Sequence, residues 1–255
     1  SLVGSEMCIR DRGSRAPPPL SLNQTMAEIN SLGEFGLIDR LTKDIPLVNA
    51  STVRGIGDDA AVLAYTSDKE VLVTTDLLLE GIHFDVRYVP LKHLGYKAAV
   101  VNFSDIYAMM GRPRQITVSI GVSARFTVEH LDQIYSGIRL ACERYGVDLV
   151  GGDTSASASG LVISITCIGE ADKGKAVFRS GARPTDLICV SGDLGAAYMG
   201  LQLLERENRV AARAGRDEQF QPDFSGKEYI LERQLKPEAR RDIVDGLEKL
   251  SLIHI

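Results

Sequence analysis

The order of hydrophobic patterns between residues 55 and 169 constrains the fold of this chain most strongly. Short runs of apolar and β-branched residues indicate strands, and apolar residues spaced three or four positions apart indicate amphipathic helices. The predicted strands are Gly55–Leu63, which begins with a Gly-rich turn, Glu70–Thr75, Gln115–Val122, Asp148–Gly151 and Leu161–Gly169, and the predicted helices are Lys92–Met110 and Val128–Tyr145. This order predicts an α+β domain in which helices cover one face of a mixed or antiparallel sheet. The apolar run Glu70–Thr75 is expected to be buried on both faces and to end before Asp76.

The flanking patterns divide the chain into four parts. Residues 1–25 have no sustained period and contain a Pro-rich stretch, so we expect a disordered or foreign tail. Residues 26–172 form the predicted first domain, and residues 173–250 form an incomplete α/β domain, because they supply too little sheet to complete one. Residues 251–255 break off a helical pattern without a cap and are interpreted as a foreign end.

Four local patterns follow the boundary, and a fifth precedes the first strand. A short helix is predicted near the start of the first domain. Beyond the boundary, the patterns predict a strand, a tight turn and two helices, the last with proline in its first turn, where the missing N–H is tolerated. The helix near the start is Glu34–Leu41. The elements beyond the boundary are the strand Asp186–Ser191, the turn Gly192–Gly195 and the helices Ala196–Glu207 and Lys236–Leu250.

Composition excludes some functions. The chain has 255 residues, a net charge of -5 and a pI of about 5.5, so it has no general attraction for nucleic acid or anionic membranes. It shows no secretory signal pattern and no apolar run long enough to span a bilayer, and a cytoplasmic location is expected. The cysteines have no metal-ligand spacing and are expected to be reduced thiols. They are Cys8, Cys142, Cys167 and Cys189.

Five aspartates lie where a predicted strand or helix meets a turn rich in Gly, Ser or Thr. They are Asp58, Asp59, Asp76, Asp105 and Asp153. Carboxylates brought together in this way repel one another unless cations neutralise them. Mg²⁺ prefers oxygen ligands and is usually held by one or two carboxylates together with substrate phosphates. Several ions that bridge a nucleotide would explain so many aspartates, although any single one also suits a turn or a helix N-cap.

The motifs around these aspartates resemble those of the thiamine-monophosphate kinases, within the aminoimidazole-ribonucleotide-synthetase-like superfamily. The resemblance covers about residues 33–205 and extends through LERQLKPEARRDI. Its motifs are EFGLI, GIGDDAAV, TTDLLLEGIHF, YKAAVVNFSDIYAMMG, LVGGDTS and FRSGARPTDLICVSGDLG. The GDDAAV and GGD turns occur across the superfamily, whereas EFGLI, EGIHF and GGDTS together indicate this member.

The resemblance implies roles for individual residues. Magnesium would be held by Asp59, Thr75, Asp76, Asp105 and Asp153, with Asp58 or Thr74 assisting. Gly152 and Arg179 would contact ATP, and the planar guanidinium of Arg179 suits phosphate oxygens. His83 would contact thiamine phosphate, although a lone histidine is more often a structural residue. The superfamily also implies a homodimer formed through the first domain.

The implied reaction transfers a phosphoryl group from ATP to thiamine monophosphate and gives ADP and thiamine diphosphate. The acceptor is already an anion, so several Mg²⁺ ions rather than a strong base would overcome the repulsion, and we expect direct in-line transfer without a phosphoenzyme. No Ser-His-Asp or Cys-His nucleophile system is recognisable, and no P-loop sequence is present.

Two alternatives remain open at this point. Sister enzymes of the superfamily share the ATP-binding half but use other acceptors; they include aminoimidazole ribonucleotide synthetase, selenophosphate synthetase and the hydrogenase-maturation enzyme. The chain could also be a non-catalytic module that binds ATP and Mg²⁺ and dimerises. A DISDGL-like motif of the family is not found, and the similar DIVDGL stretch follows KPEARR. Asp242 and Asp245 are therefore expected to be surface residues of a helix.

Overall fold

The computed structural model describes residues 52–54, 61–64, 67–213 and 224–249, all within one unit, residues 47–255. The strands are β1 (Thr52–Arg54), β2 (Ala61–Leu63), β3 (Lys69–Leu79), β4 (Arg112–Val122), β5 (Asp148–Ala156) and β6 (Val162–Asp172). The helices are α1 (Leu91–Ala108), α2 (Val128–Tyr145), α3 (Ala196–Arg213), α4 (Glu228–Leu235) and α5 (Arg241–Lys249). The predicted helix at Glu34–Leu41 lies outside the described residues.

The strands form one mixed sheet in the order β1-β2-β3-β6-β4-β5. Only β4 and β5 run parallel, and the other neighbours are antiparallel. The ladder between β3 and β6 is continuous from Lys69 opposite Asp172 to Leu79 opposite Val162. The prediction of a mixed sheet in an α+β fold is confirmed.

One face of this sheet forms the core under α1, which packs against β3, β4 and β6. Along β3, Leu72, Thr74 and Leu78 are buried, whereas Thr75 and Leu77 on the opposite face are exposed. The prediction that this strand is buried on both faces was therefore wrong. β3 also continues past Thr75, because β6 offers a pairing partner as far as Leu79.

The two long helices of this layer pack at very short distance. A Cβ atom on Gly95 would lie 1.9 Å from the Ile134 carbonyl oxygen, and one on Gly137 would lie 1.9 Å from the Lys92 carbonyl oxygen. Glycine is therefore required at both positions. The helix α2 has the predicted bounds, and it ends at Gly146, whose φ of 69° is the left-handed conformation of a glycine C-cap.

The segment after β6 departs from two predictions. Residues 186–191 form no strand, because no neighbouring strand in the described residues pairs with them and a strand needs a ladder. The predicted helix from Lys236 begins only at Arg241. The residues between α4 and α5 are instead held in place by Tyr145, whose hydroxyl accepts a hydrogen bond from the Ala239 N–H (2.9 Å) and donates to Glu238 Oε2 (2.7 Å).

Of the last three helices, α3 and α4 pack on each other, and α5 is tied to the sheet layer. α3 meets α4 at Gly200, where an added Cβ would lie 2.1 Å from the Ile230 carbonyl oxygen. From α5, Asp245 and Glu248 each form a 2.6 Å ion pair with Arg112 of β4. The prediction that Asp242 and Asp245 are surface helix residues is confirmed, since their side chains are 66% and 40% exposed.

The described part of residues 173–249 contains helices but no strand. The predicted boundary between residues 172 and 173 stays a prediction. Within the described ranges, every helix is too short or too polar to span a membrane.

Candidate active site

Two of the predicted metal ligands face each other across the contact between β3 and α1. The Thr74 hydroxyl on β3 donates a hydrogen bond to Asp105 Oδ2 on α1, with an O–O distance of 2.8 Å. Asp76 lies two residues after Thr74 and therefore on the same face of β3. The sequence predicted Asp76 just after the end of a strand and Asp105 near the end of the helix Lys92–Met110, each at a junction with a turn. In the structure, Asp76 lies inside β3 and Asp105 inside α1.

The two carboxylates share a partly buried environment that disfavours their charged form. Burial raises the pKa of Asp105, and the nearby Asp76 charge raises it further, while the Thr74 hydrogen bond lowers it. Burial also raises the pKa of Asp76, and the nearby His83 lowers it. A cation that binds between these side chains would relieve both effects.

His83 follows β3 in a tight turn. Its backbone N–H donates to the Leu79 carbonyl oxygen (2.9 Å), and its Nδ1 accepts a hydrogen bond from the Leu79 N–H (3.0 Å). Gly81 provides the positive φ of 81° within this turn. Because Nδ1 is an acceptor, the neutral ring carries its proton on Nε2. The exposed ring is thus oriented by Nδ1, and within the described part of the chain Nε2 has no hydrogen-bond partner.

His83 lines a cleft of about 360 Å³ that the sequence analysis did not predict. Its walls come from β3 and the turn after it, from α1, and from α3 and the end of α4. The apolar lining includes Ile82, Tyr88, Leu94, Leu201 and Leu235, and the charged lining includes Asp85, Arg87, Lys97, Glu205 and Arg209. Since Leu78 lines the cleft and lies two residues after Asp76 on the same face of β3, the cleft adjoins the acidic pair.

The cleft could be detected only in part from the sequence. The spacing of Lys97, Val101 and Asp105 by four residues places them on one face of α1 and would have linked Lys97 to the acidic residue. The residues from α3 and α4 lie more than a hundred positions farther along the chain, and no local pattern connects them with His83.

The remaining predicted ligands on the sheet lie apart from this pair. Thr75 lies on the opposite face of β3, where its hydroxyl donates to the Ile165 carbonyl oxygen (3.1 Å). Asp153 lies on β5, an exposed edge strand. Because β6 and β4 separate β3 from β5, Asp153 is three strand spacings, about 14 Å, from β3.

The two residues predicted to bind nucleotide also lie outside the cleft. Gly152 lies on β5, and a Cβ there would be 1.9 Å from the Val118 carbonyl oxygen, so close strand packing already accounts for the glycine. Arg179 belongs to the exposed stretch after β6. Asp58 and Asp59 lie outside the described residues. Among the described residues, no three His, Cys, Asp or Glu side chains form a metal-binding group.

The cysteines of the sheet layer are poor nucleophiles. Burial raises the pKa of the Cys142 thiol to about 11 and that of Cys167 to about 12. Both therefore remain protonated near neutral pH, and a covalent mechanism through either of them is disfavoured. Cys189 is exposed.

Comparison with known proteins identifies the family. Residues 57–171 match the family model for the N-terminal domain of AIR synthase related protein. Thiamine-monophosphate kinase of Bacillus subtilis is 36% identical over 211 residues, which are 82% of this chain and 61% of the relative. The corresponding protein of Aquifex aeolicus is 37% identical over 221 residues, which are 87% of this chain and 65% of the relative. Residues 57–171 thus form an AIR synthase-related N-terminal domain, and the chain is similar to the thiamine-monophosphate kinases.

Solved structures show the same similarity to thiamine-monophosphate kinases. A structure described as AaThiL complexed with AMPPCP and TMP superposes with a TM-score of 0.72 at 36% identity, and the match covers 89% of this chain and 66% of that one. A structure of thiamine monophosphate kinase from Aquifex aeolicus gives a TM-score of 0.66 at 32% identity. The chain thus spans about two thirds or less of the length of these relatives.

Proposed function

We propose that the protein transfers a phosphoryl group from ATP to thiamine monophosphate and forms ADP and thiamine diphosphate. The observation that carries this proposal is the partly buried acidic pair Asp76 and Asp105 beside a cleft that contains His83. A relative at 36% identity is described with AMPPCP and TMP bound, which supports the same pair of substrates here.

The donor set beside the cleft suits Mg²⁺. Two partly buried carboxylates and a threonine hydroxyl offer the hard oxygen ligands that this ion prefers, and their raised pKa values mark a place where a cation is favourable. In the proposed function, several Mg²⁺ ions would be held by Asp59, Thr75, Asp76, Asp105 and Asp153. Asp58 and Thr74 would assist. Bound Mg²⁺ would neutralise phosphate oxygens and align the two substrates.

The chain's own residues would bind and orient the acceptor. The Nε2–H of His83 donates to a phosphate oxygen of thiamine monophosphate, while the apolar wall of the cleft contacts the rings. The acceptor phosphate is already an anion and needs no strong base, which agrees with direct in-line transfer. Gly152 and Arg179 would contact the nucleotide.

A homodimer in the cytoplasm is part of the proposal. The sheet face opposite α1 carries exposed residues such as Thr75, Leu77 and Ile168, and a second copy would cover them. Sedimentation equilibrium tests the dimer, and a monomer at micromolar concentration would contradict it.

A coupled assay of ADP release tests the reaction. It compares ATP and Mg²⁺ with and without thiamine monophosphate, and the full-length Aquifex aeolicus enzyme serves as the positive control. We expect release that depends on thiamine monophosphate and that falls at least a hundredfold in Asp105→Asn. The matched control is Asp132→Asn, which changes an exposed aspartate of α2 and should retain activity.

Other outcomes would replace the proposal. ATP binding with Mg²⁺ but without turnover would favour a non-catalytic module. ADP release that is indifferent to thiamine monophosphate would favour another acceptor and hence a sister enzyme of the family.

A further inference from the structure

Lys97 is a partly buried lysine that lines the cleft beside His83. Its Nζ donates a hydrogen bond to the Gln234 carbonyl oxygen at 3.3 Å, and no ion pair to Lys97 occurs among the described residues. An ammonium group has three donors and no acceptor. Two donors of Lys97 are therefore left without a partner within the described residues, at the wall of the cleft.

Neither acidic residue of the cleft, Asp85 or Glu205, forms an ion pair with Lys97 within the described residues. Asp85 already binds Arg87, whose Nε lies 2.9 Å from both carboxylate oxygens. Burial is the cause that lowers the pKa of Lys97, without an opposing contribution from a carboxylate. A charged group in this setting is unfavourable unless an anion accompanies it. An anionic ligand in the cleft would supply that partner.

The position of Lys97 also relates the cleft to the acidic pair. Lys97 and Asp105 lie eight residues apart on one face of α1, which corresponds to about 12 Å along the helix. On β3, Thr74 contacts Asp105, and Leu78 lines the cleft. The acidic pair and the cleft thus lie next to each other along the contact between β3 and α1. Their separation of about 12 Å is comparable to the length of one small molecule.

We propose that Lys97 binds the phosphate group of an organic monophosphate whose rings occupy the apolar part of the cleft. The assignment rests on the proposed function, in which that ligand is thiamine monophosphate, and it adds a phosphate-binding residue to the site. Ile82, Tyr88 and Leu201 would contact the rings, and His83 would share the phosphate with Lys97.

Lys97 has a second, purely structural explanation that the test must separate. Gln234 is the penultimate residue of α4, and a cation beside the last carbonyl groups of a helix stabilises the helix end. Lys97→Gln keeps a donor for the Gln234 carbonyl oxygen but removes the charge. Lys97→Arg keeps the charge, and Lys97→Met removes both.

The experiment measures binding of thiamine monophosphate, thiamine and inorganic phosphate to the 255-residue chain by titration calorimetry. In the original chain, thiamine monophosphate should bind more tightly than thiamine. Lys97→Gln and Lys97→Met should weaken thiamine monophosphate about tenfold to a hundredfold, the range for a hydrogen bond to a charged group, and leave thiamine unchanged. Lys97→Arg should stay within about threefold. The matched control is Lys92→Met, an exposed lysine of the same helix, which should change nothing.

Four results would decide against the assignment or separate it from the proposed function. An unchanged ratio of the two affinities in Lys97→Gln would overturn it, and a lowered melting temperature in Lys97→Met alone would then identify a helix-end contact. If thiamine monophosphate fails to bind but inorganic phosphate binds and loses its affinity in Lys97→Gln, the proposed function falls and the phosphate site stands. If neither anion binds the original chain, both fall.

Discussion

The sheet layer and the stretch Arg179–Gly192 contain similar residues in opposite environments. In the layer, Ile165 is fully buried between β3 and β4, whereas Leu187 and Ile188 in the stretch are 90% and 95% exposed. Both sequences are rich in β-branched and apolar residues. The difference shows that local β-propensity forms a strand only where neighbouring strands complete the ladder.

The largest expected effect tests this comparison directly. Ile165→Ala should lower the free energy of unfolding by about 3–4 kcal/mol, because it removes methyl groups from a closed core. Ile188→Ala makes the same chemical change at an exposed position and should alter it by less than about 0.5 kcal/mol. Urea unfolding of both variants measures the two values. Similar losses of unfolding free energy at the two positions would mean that Ile188 is buried in solution. The contrast between the sheet layer and the exposed stretch would then be wrong.

The next effect concerns the contact that holds the layer's helices together. In Gly137→Ala, the new Cβ would meet the Lys92 carbonyl oxygen at 1.9 Å, and the helices must separate. We expect a loss of about 2–3 kcal/mol in the free energy of unfolding. The control is Gly246→Ala in α5, where nothing lies within 4 Å. There the gain in helix propensity should stabilise the protein by about 0.5–1 kcal/mol. Thermal and urea unfolding should show opposite signs, and equal signs would refute the close helix contact.

Elements that depend on local pattern could be predicted from the sequence, whereas elements that depend on long-range strand pairing could not. The helices α1 and α2 were found almost to the residue, because each has a sustained helical period. The end of β3 was misplaced, since its last residues are strand only through pairing with β6. Residues 186–191 were predicted to form a strand, but they form none because no strand in the described residues pairs with them.

The site divides in a similar way. Asp76, Asp105 and His83 were found by residue type and motif. The structure places Asp76 on the same face of β3 as Thr74, which contacts Asp105, and places His83 in the turn after β3. The sequence could not show that Thr75 and Asp153 lie apart from Asp76 and Asp105. The order of the strands in the sheet, and the face on which each side chain lies, are set by long-range pairing. Lys97 and the cleft were missed because α3 and α4, which lie far along the chain, supply six of the seventeen residues that line it.

A smaller effect tests whether the last helices share the stability of the layer. Tyr145→Phe removes the hydroxyl that joins α2 to Glu238 and leaves the N–H of Ala239 without its partner. We expect a loss of about 1–3 kcal/mol, the usual range for a buried unsatisfied group. Tyr135→Phe on the same helix should cost less than about 0.5 kcal/mol. Hydrogen exchange should also show faster exchange at Ala239. An unchanged exchange rate would mean that residues 236–240 are held by other contacts.

The smallest expected effect concerns the acidic pair, where the layer carries a polar group in its core. The pKa of Asp105 is raised in the folded protein, so the folded state holds the proton more tightly than the unfolded chain does. The resulting stability is fully present below the unfolded pKa and is lost as the pH rises through the folded pKa. Asp105→Asn cannot ionise, so it does not lose stability as the pH rises. Its side-chain carbonyl oxygen can still accept the hydrogen bond from Thr74. The melting temperature of Asp105→Asn should therefore exceed that of the original chain at pH 7, and the difference should shrink toward pH 4. The corresponding gain in the free energy of unfolding should be smaller than any of the losses above.

Adding Mg²⁺ at pH 7 should raise the melting temperature of the original chain and leave that of Asp105→Asn unchanged, because only the carboxylate pair favours the cation. The exposed control Asp132→Asn should follow the original chain at every pH. A melting temperature of Asp105→Asn that lies below the original at pH 7 would show that the ionised carboxylate stabilises the fold, and the acidic pair would then need no cation.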